Sequence, residues 1–140
     1  MKIIESLRHK LNKNAELSGL EKETNRIINK FLEKTNPDVH LRNVGGYGII
    51  AIYKGVEEGK NILLRADIDG LNIPMSCQQY SGTGTGAGTG AEFKVQCQGQ
   101  YQYSHRCGHD GHTAILCGVA MHLGKKRPQK GNVILLFQPA

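Results

Sequence analysis

The sequence predicts an α/β domain with a mostly parallel or mixed sheet covered by helices, and three observations carry that prediction. Apolar residues recur at helical spacing in the first third of the chain. Two later runs, Ile62 to Ala66 and Val133 to Phe137, are near-continuous apolar segments of the kind found in strands buried on both faces. The order helix, helix, strands, helix, strand then interleaves the two element types as α/β domains do. A length of 140 residues suits one ordinary domain with a core of its own.

Taken in order, Ile4, Leu7 and Leu11 follow helical spacing and predict a short amphipathic helix. Ser18 precedes Glu21 by three residues, a capping-box pattern that opens a second helix from about Leu20 to Lys34. Its expected buried stripe is Leu20, Ile27, Ile28, Phe31 and Leu32. Asn36-Pro37 stops it, because proline disfavours helical backbone in the residue before it. Val39 to Arg42 and Ile49 to Tyr53 read as strands joined by the glycine-rich turn at 45–48. Asn61 to Asp67 is expected mid-sheet, and its C-terminal end delivers Asp67 and Asp69, two residues apart and on one side if the backbone stays extended. Taken alone, these aspartates fit loop-start residues that cap backbone amides.

Residues 76–104 differ in composition. The chain has 18 glycines, and the excess is local: Ser81 to Gly90 is almost pure Gly, Thr and Ala, a low-complexity linker. Gly86, Gly88 and Ala91 fit a dinucleotide-binding fingerprint only loosely, with no preceding strand and no acidic partner at the required distance. Phe93, Val95 and Cys97, then Tyr101 and Tyr103, alternate with polar residues around Gly99 and suggest a small hairpin. Further on, Asp110 is placed to cap a helix running to about Lys126 with Ile115, Leu116, Val119, Ala120 and Leu123 inward. Asn132 to Gln138 is the final buried-type strand.

The composition is globular, 39% apolar and 21% charged, with a formal net charge of +6. Lysine and arginine are scattered except for Lys125, Lys126, Arg127 and Lys130, which fit the negative end of a helix dipole better than a phosphate-binding patch, so no nucleic-acid partner is expected. The first 14 residues lack the apolar core of a secretory signal, and no run is long enough to cross a membrane; a soluble cytoplasmic chain with no membrane partner is the expectation. Cys77, Cys97, Cys107 and Cys117 then read as free thiols or metal ligands rather than disulfides, with Cys117 on the apolar side of a helix.

The densest chemistry lies at His105 to His112, reading His-Arg-Cys-Gly-His-Asp-Gly-His. In an extended backbone Cys107 and His109 leave the same side and can share one metal ion. A thiolate and an imidazole make half of a zinc or manganese site, since structural zinc takes four protein ligands and catalytic zinc about three. Further candidates are His105, His112 and the Asp67/Asp69 pair. His105 reads as a solvent-exposed loop histidine, and His112 suits a donor to an outer carboxylate equally well.

Three segments, Leu-Arg-Ala-Asp-Ile-Asp-Gly-Leu-Asn-Ile-Pro (64–74), His-Arg-Cys-Gly-His-Asp-Gly-His-Thr-Ala (105–114) and Val-Ile-Leu-Leu-Phe-Gln-Pro-Ala (133–140), resemble in order three signature segments of one family. It is the metal-dependent amidohydrolases of the aminoacylase, hippurate hydrolase and auxin-conjugate hydrolase type. Leu11 to Ser18 is similar to that family's first helix and the turn beyond it. The resemblance implies a partial catalytic domain of a zinc-peptidase-like fold, the N-terminal portion of a metallohydrolase, with a Gly/Thr-rich insert at about 76–104 and without the family's lid or dimerisation domain. It implies two divalent ions, Zn or Mn, in the complete site, and a small amide substrate, an N-acyl amino acid or amino acid conjugate, in the parent enzyme. Cys107 and His109 match metal-ligand positions, Asp69 matches the aspartate that orients and polarises the site, and Asp67 and His112 match positions near it. In the family the two metals lower the pKa of a shared water and polarise the amide carbonyl, while a glutamate takes the proton.

That glutamate and an adjacent ligand glutamate follow Phe-Gln-Pro-Ala in the family, and the sequence in hand ends at Ala140. The expectation is therefore a fragment of an amidohydrolase, inactive alone. Its final strand would leave an uncovered face or edge, so self-association or a completing chain is expected. Two other readings stand beside it: a non-catalytic remnant with a metal-binding or interaction role, and a structural zinc module that also uses Cys77 or Cys97.

Overall fold

Helix α1 (Lys2–Lys13) forms where Leu7 and Leu11 line up on one side and are buried, with Ile4 packed beside them. This computed structural model describes residues 2–74, 96–98 and 101–140. Helix α2 (Lys22–Leu32) follows and tightens into a 3-10 turn, Glu33–Thr35, before Asn36 takes a left-handed conformation and ends it. The helix forms where expected but starts two residues late, and the predicted cap does not form. Ser18 makes no bond to the helix; the Glu16 carboxylate accepts from the backbone N–H groups of Glu23 and Thr24 at 3.0 and 2.7 Å. Leu20, expected inside, is 61% exposed, because α2 begins only at Lys22 and Leu20 lies in the turn before it. Ile27, Ile28 and Leu32 are buried as expected.

Strands β1 (Val39–Val44) and β2 (Gly48–Lys54) form the expected hairpin. Strand β3 (Glu57–Asp67) begins four residues before the expected start at Asn61, helix α3 (His109–Lys125) follows later, and strand β7 (Lys130–Gln138) completes the main sheet. The sheet is mixed, in the order β1-β2-β7-β3: β2 runs antiparallel to β7 and β3 runs parallel to it. Gly131 carries φ +68°, and a Cβ there would fall onto the Lys60 carbonyl, so β7 can enter the sheet beside β3 only with glycine at that point. Strands β4 (Leu71–Pro74), β5 (Gln96–Gln98) and β6 (Tyr101–Ser104) form a small antiparallel sheet in the order β4-β6-β5. The β5–β6 pair is the hairpin read around Gly99; Cys77, Ser81 to Gly90, Phe93 and Val95 lie outside the described residues.

The helices lie on one side of the main sheet. Ile49, Ala51, Tyr53, Ala66, Leu135 and Phe137 point toward them and are buried, together with Leu116, Cys117, Ala120 and Leu123 of α3. Burial pushes the Cys117 thiol far above its ordinary pKa, as befits a core residue. Ile115, assigned to that face from its spacing, is instead 65% exposed. The alternate residues Ile50, Ile52, Ile134 and Leu136 are only half-buried, and Leu63 is 55% exposed. The register aligns them into apolar rows, Leu63–Ile134–Ile52 and Leu136–Ile50–Leu41. The expectation that β3 sits mid-sheet is thus corrected: among the described residues β3 is an edge strand, and no helix covers its second face.

Candidate metal half-site

The C-terminal ends of β3 and β7 and the N-terminus of α3 meet at one end of the sheet, as ligand sites in open α/β sheets do. Ile68, fully buried, donates its N–H to the Gln138 carbonyl at 3.1 Å and carries the chain out of β3 beside β7. Thr113 Oγ1 donates to the Asp67 carbonyl at 3.0 Å, which ties the first turn of α3 to the same strand end. Helix α3 is preceded by Gly108, which takes φ +80° and whose carbonyl accepts from Gly111 and His112 at 2.9 and 3.0 Å.

This geometry corrects the premise that placed Cys107 and His109 on one side of an extended chain. Gly108 is left-handed and His109 is the first residue of α3, so the two side chains leave a turn and a helix start. Cys107 is exposed, in the turn preceding α3. His109 reaches back to Asp69: its Nδ1 lies 2.9 Å from Asp69 Oδ1 and 3.0 Å from the Asp69 carbonyl. The backbone carbonyl can only accept, so Nδ1 carries a proton, and whenever the ring is neutral its lone pair is on Nε2. The pair is largely sheltered, with side chains 20% and 15% exposed. The second Asp69 oxygen accepts from Ser18 Oγ at 2.8 Å.

Asp67 is not part of that pair. Its Oδ1 accepts from Arg65 Nη2 at 2.6 Å, because the strand ends at Asp67 and the two aspartates do not continue the alternation that would align them. His112 stands one turn after His109, with ring centroids 5.9 Å apart.

His105 also departs from expectation: only 6% of it is exposed, with neither ring nitrogen partnered among the described residues. Burial pushes its pKa below the usual histidine value; Asp110 opposes that shift and His109 adds to it. Asp110 is not the helix cap. It is buried and turned toward α1, where its Oδ2 accepts from Asn12 Nδ2 at 3.0 Å and Arg8 Nε at 3.3 Å. Sequence reasoning missed Ser18 as a donor to Asp69, and Arg8 and Asn12 as partners of Asp110. The only available signal lay in the polar residues themselves, since contacts across 51 to 102 positions have no local signature.

Among the described residues no three His, Cys, Asp or Glu side chains converge as a metal cage. The donor set nevertheless suits a divalent ion in part: an imidazole held through Nδ1 by a carboxylate presents Nε2, the arrangement by which outer carboxylates orient metal-binding histidines, and a thiol lies two residues away. No helix among the described residues is long and apolar enough to cross a membrane.

No family model matches the chain. It is 36% identical to the N-acetylcysteine deacetylase of Bacillus subtilis over 96% of its own length and 32% of that protein. It is 33% identical to an IAA-amino acid hydrolase of Arabidopsis thaliana, covering 27% of it, and 30% identical to the hippurate hydrolase of Campylobacter jejuni, covering 31% of it. In structure it is similar to a dinuclear metal-binding peptidase of the M20 family from Bacillus subtilis, with a TM-score of 0.78 at 34% identity over 99% of this chain and 35% of that one. The chain thus spans about a third of the length of the curated relatives it matches.

Proposed function

We propose, from the premise that this chain is a homologue of the M20-family metal-dependent amidohydrolases, that residues 1–140 are the N-terminal portion of such an enzyme's catalytic domain, carrying half of its metal site. The parent reaction is hydrolysis of the amide bond of an N-acyl amino acid or amino acid conjugate, and the 140-residue chain alone does not turn over. The observation that carries this reading is the His109 Nδ1 contact with Asp69, which leaves Nε2 for a metal. Cys107 and His109 are the two protein ligands, and Asp69, the catalytic position by resemblance, orients His109.

When bound, a pair of divalent ions, zinc or manganese, supplies Lewis acidity for the amide carbonyl and for water. What this chain's own residues do is narrower. Asp69 keeps the proton of His109 on Nδ1, and Thr113 holds the start of α3 against the end of β3. The residues at 76–104 are an insert within that domain. The sheet face and the β3 edge that are left uncovered among the described residues support association with a completing chain or a second copy.

The test is the metal content of the purified chain by elemental analysis, beside a Cys107→Ser/His109→Ala double variant. Near-stoichiometric metal in the wild type and none in the variant is the expected result. Equal metal in both, or none in either, overturns the half-site and favours a remnant without metal chemistry. Hydrolysis of an N-acyl amino acid by the purified 140-residue chain would overturn the claim of inactivity.

A further inference from the structure

Ser18 is the residue that the sequence pattern assigns to capping α2, and it does no capping. Glu16 already takes the Glu23 and Thr24 amides, so the Ser18 hydroxyl is free to act elsewhere, and it donates to Asp69 Oδ2 at 2.8 Å. Its position there is fixed by backbone. Leu17 forms a β-bridge with Gly70, and Gly70 donates its N–H to the Glu16 carbonyl at 2.6 Å. The approach is close: a Cβ on Gly70 would come 3.1 Å from the Glu16 carbonyl oxygen and 3.3 Å from Ala15 Cβ. The segment at 16–18 therefore lies against the residue that follows Asp69.

A carboxylate rotates about its last torsion with little preference between its two oxygens. An aspartate bonded through one oxygen alone can exchange oxygens or tilt, and the imidazole it holds tilts with it. In this chain both oxygens are engaged from opposite partners, Oδ1 by His109 and Oδ2 by Ser18. We propose that Ser18 is a positioning residue, which locks the Asp69 carboxylate and through it the tautomer and orientation of His109. The role rests on the reading of His109 as a metal ligand, but its structural part holds in metal-free protein as well.

The experiment compares wild type, Ser18→Ala and Ser18→Thr by three measurements. The first is ring-nitrogen NMR of His109 in metal-free protein, which reports the tautomer. The second is Zn²⁺ titration against a competing chelator, and the third is the denaturant unfolding midpoint. The wild type and Ser18→Thr should show one Nδ1–H tautomer, and Ser18→Ala a mixture. Zinc affinity should fall about tenfold in Ser18→Ala, the lower end of what losing an outer partner costs, and return in Ser18→Thr. Both variants should unfold within about 0.5 kcal/mol of the wild type, since Ser18 makes no bond to α2 and only its exposed bond to Asp69 is lost in Ser18→Ala.

An unchanged His109 spectrum in Ser18→Ala overturns the positioning role, even where the wild type binds zinc and the half-site stands. A changed spectrum in a chain that binds no zinc sinks the half-site and leaves the positioning role standing. An unfolding midpoint lowered in Ser18→Ala as far as in Glu16→Ala would return Ser18 to the capping role that the sequence suggests.

Discussion

The cap of α2 gives a sharp test, because sequence and structure assign it to different residues. Glu16→Ala removes a carboxylate that accepts from the Glu23 and Thr24 amides at 3.0 and 2.7 Å. Loss of a side-chain cap costs about 0.5–2 kcal/mol, and loss of a negative charge at the positive end of a helix dipole adds about 0.3–1 kcal/mol. Glu16 is half-buried, so solvent replaces its bonds only in part, and a total near 2 kcal/mol is reasonable. For 140 residues an unfolding entropy of about 2.1 cal/mol/K per residue gives about 0.3 kcal/mol per degree, hence a drop of about 7 °C in Tm. Glu16→Gln, which keeps one accepting oxygen, should lose about half as much, and Ser18→Ala less than about 0.5 kcal/mol. Thermal and urea unfolding followed by circular dichroism measure all three. A Ser18→Ala loss equal to or larger than that of Glu16→Ala would refute the assignment.

Two further outcomes follow from other parts of the molecule. Burial is the largest cause holding both His40 and His105 below the ordinary histidine pKa, so each binds its proton more readily in the unfolded chain. Their contribution to stability is present above the unfolded value of 6.5 and is lost as pH falls through the lowered folded values. The urea midpoint should therefore drop between about pH 7.5 and 5.5, and a flat or rising midpoint contradicts it. The open rows of the sheet should drive association: light scattering should give a concentration-dependent mass above that of one chain, and Leu63→Lys at the β3 edge should reduce it. A monomer at all concentrations would refute this.

Much of the fold was legible in the sequence because it rests on local periodicity. The spacing of Leu7 and Leu11, the run Val133 to Phe137 and the Asn36-Pro37 stop each specify an element without reference to distant residues, and each element formed. The mixed α/β sheet followed from their order. What failed was the relation between elements. An apolar run such as Ile62 to Leu64 reads as two-sided burial, but which neighbour a strand receives depends on chain that is remote in sequence, and here β3 lies at the edge. The same limit applies at the site. His109 and Asp69 were both singled out, yet that one turns its Nδ1 to the other depends on β3 and α3 meeting across 40 positions. The sequence reads His105 as exposed because a histidine among polar neighbours carries no local sign of the burial that the fold gives it.

The contact between α1 and α3 spans 102 positions, from Arg8 to Asp110, and this separation sets an order of events during synthesis. A ribosome adds about 5–20 residues per second, so Leu7 and Leu11 emerge roughly 5–20 s before α3 exists to receive them. The hairpin of β1 and β2 needs no such delay, since its partners are adjacent in the chain. Helix α1 is thus buried late, and during that interval its apolar side is open to whatever else in the cell binds nascent chains.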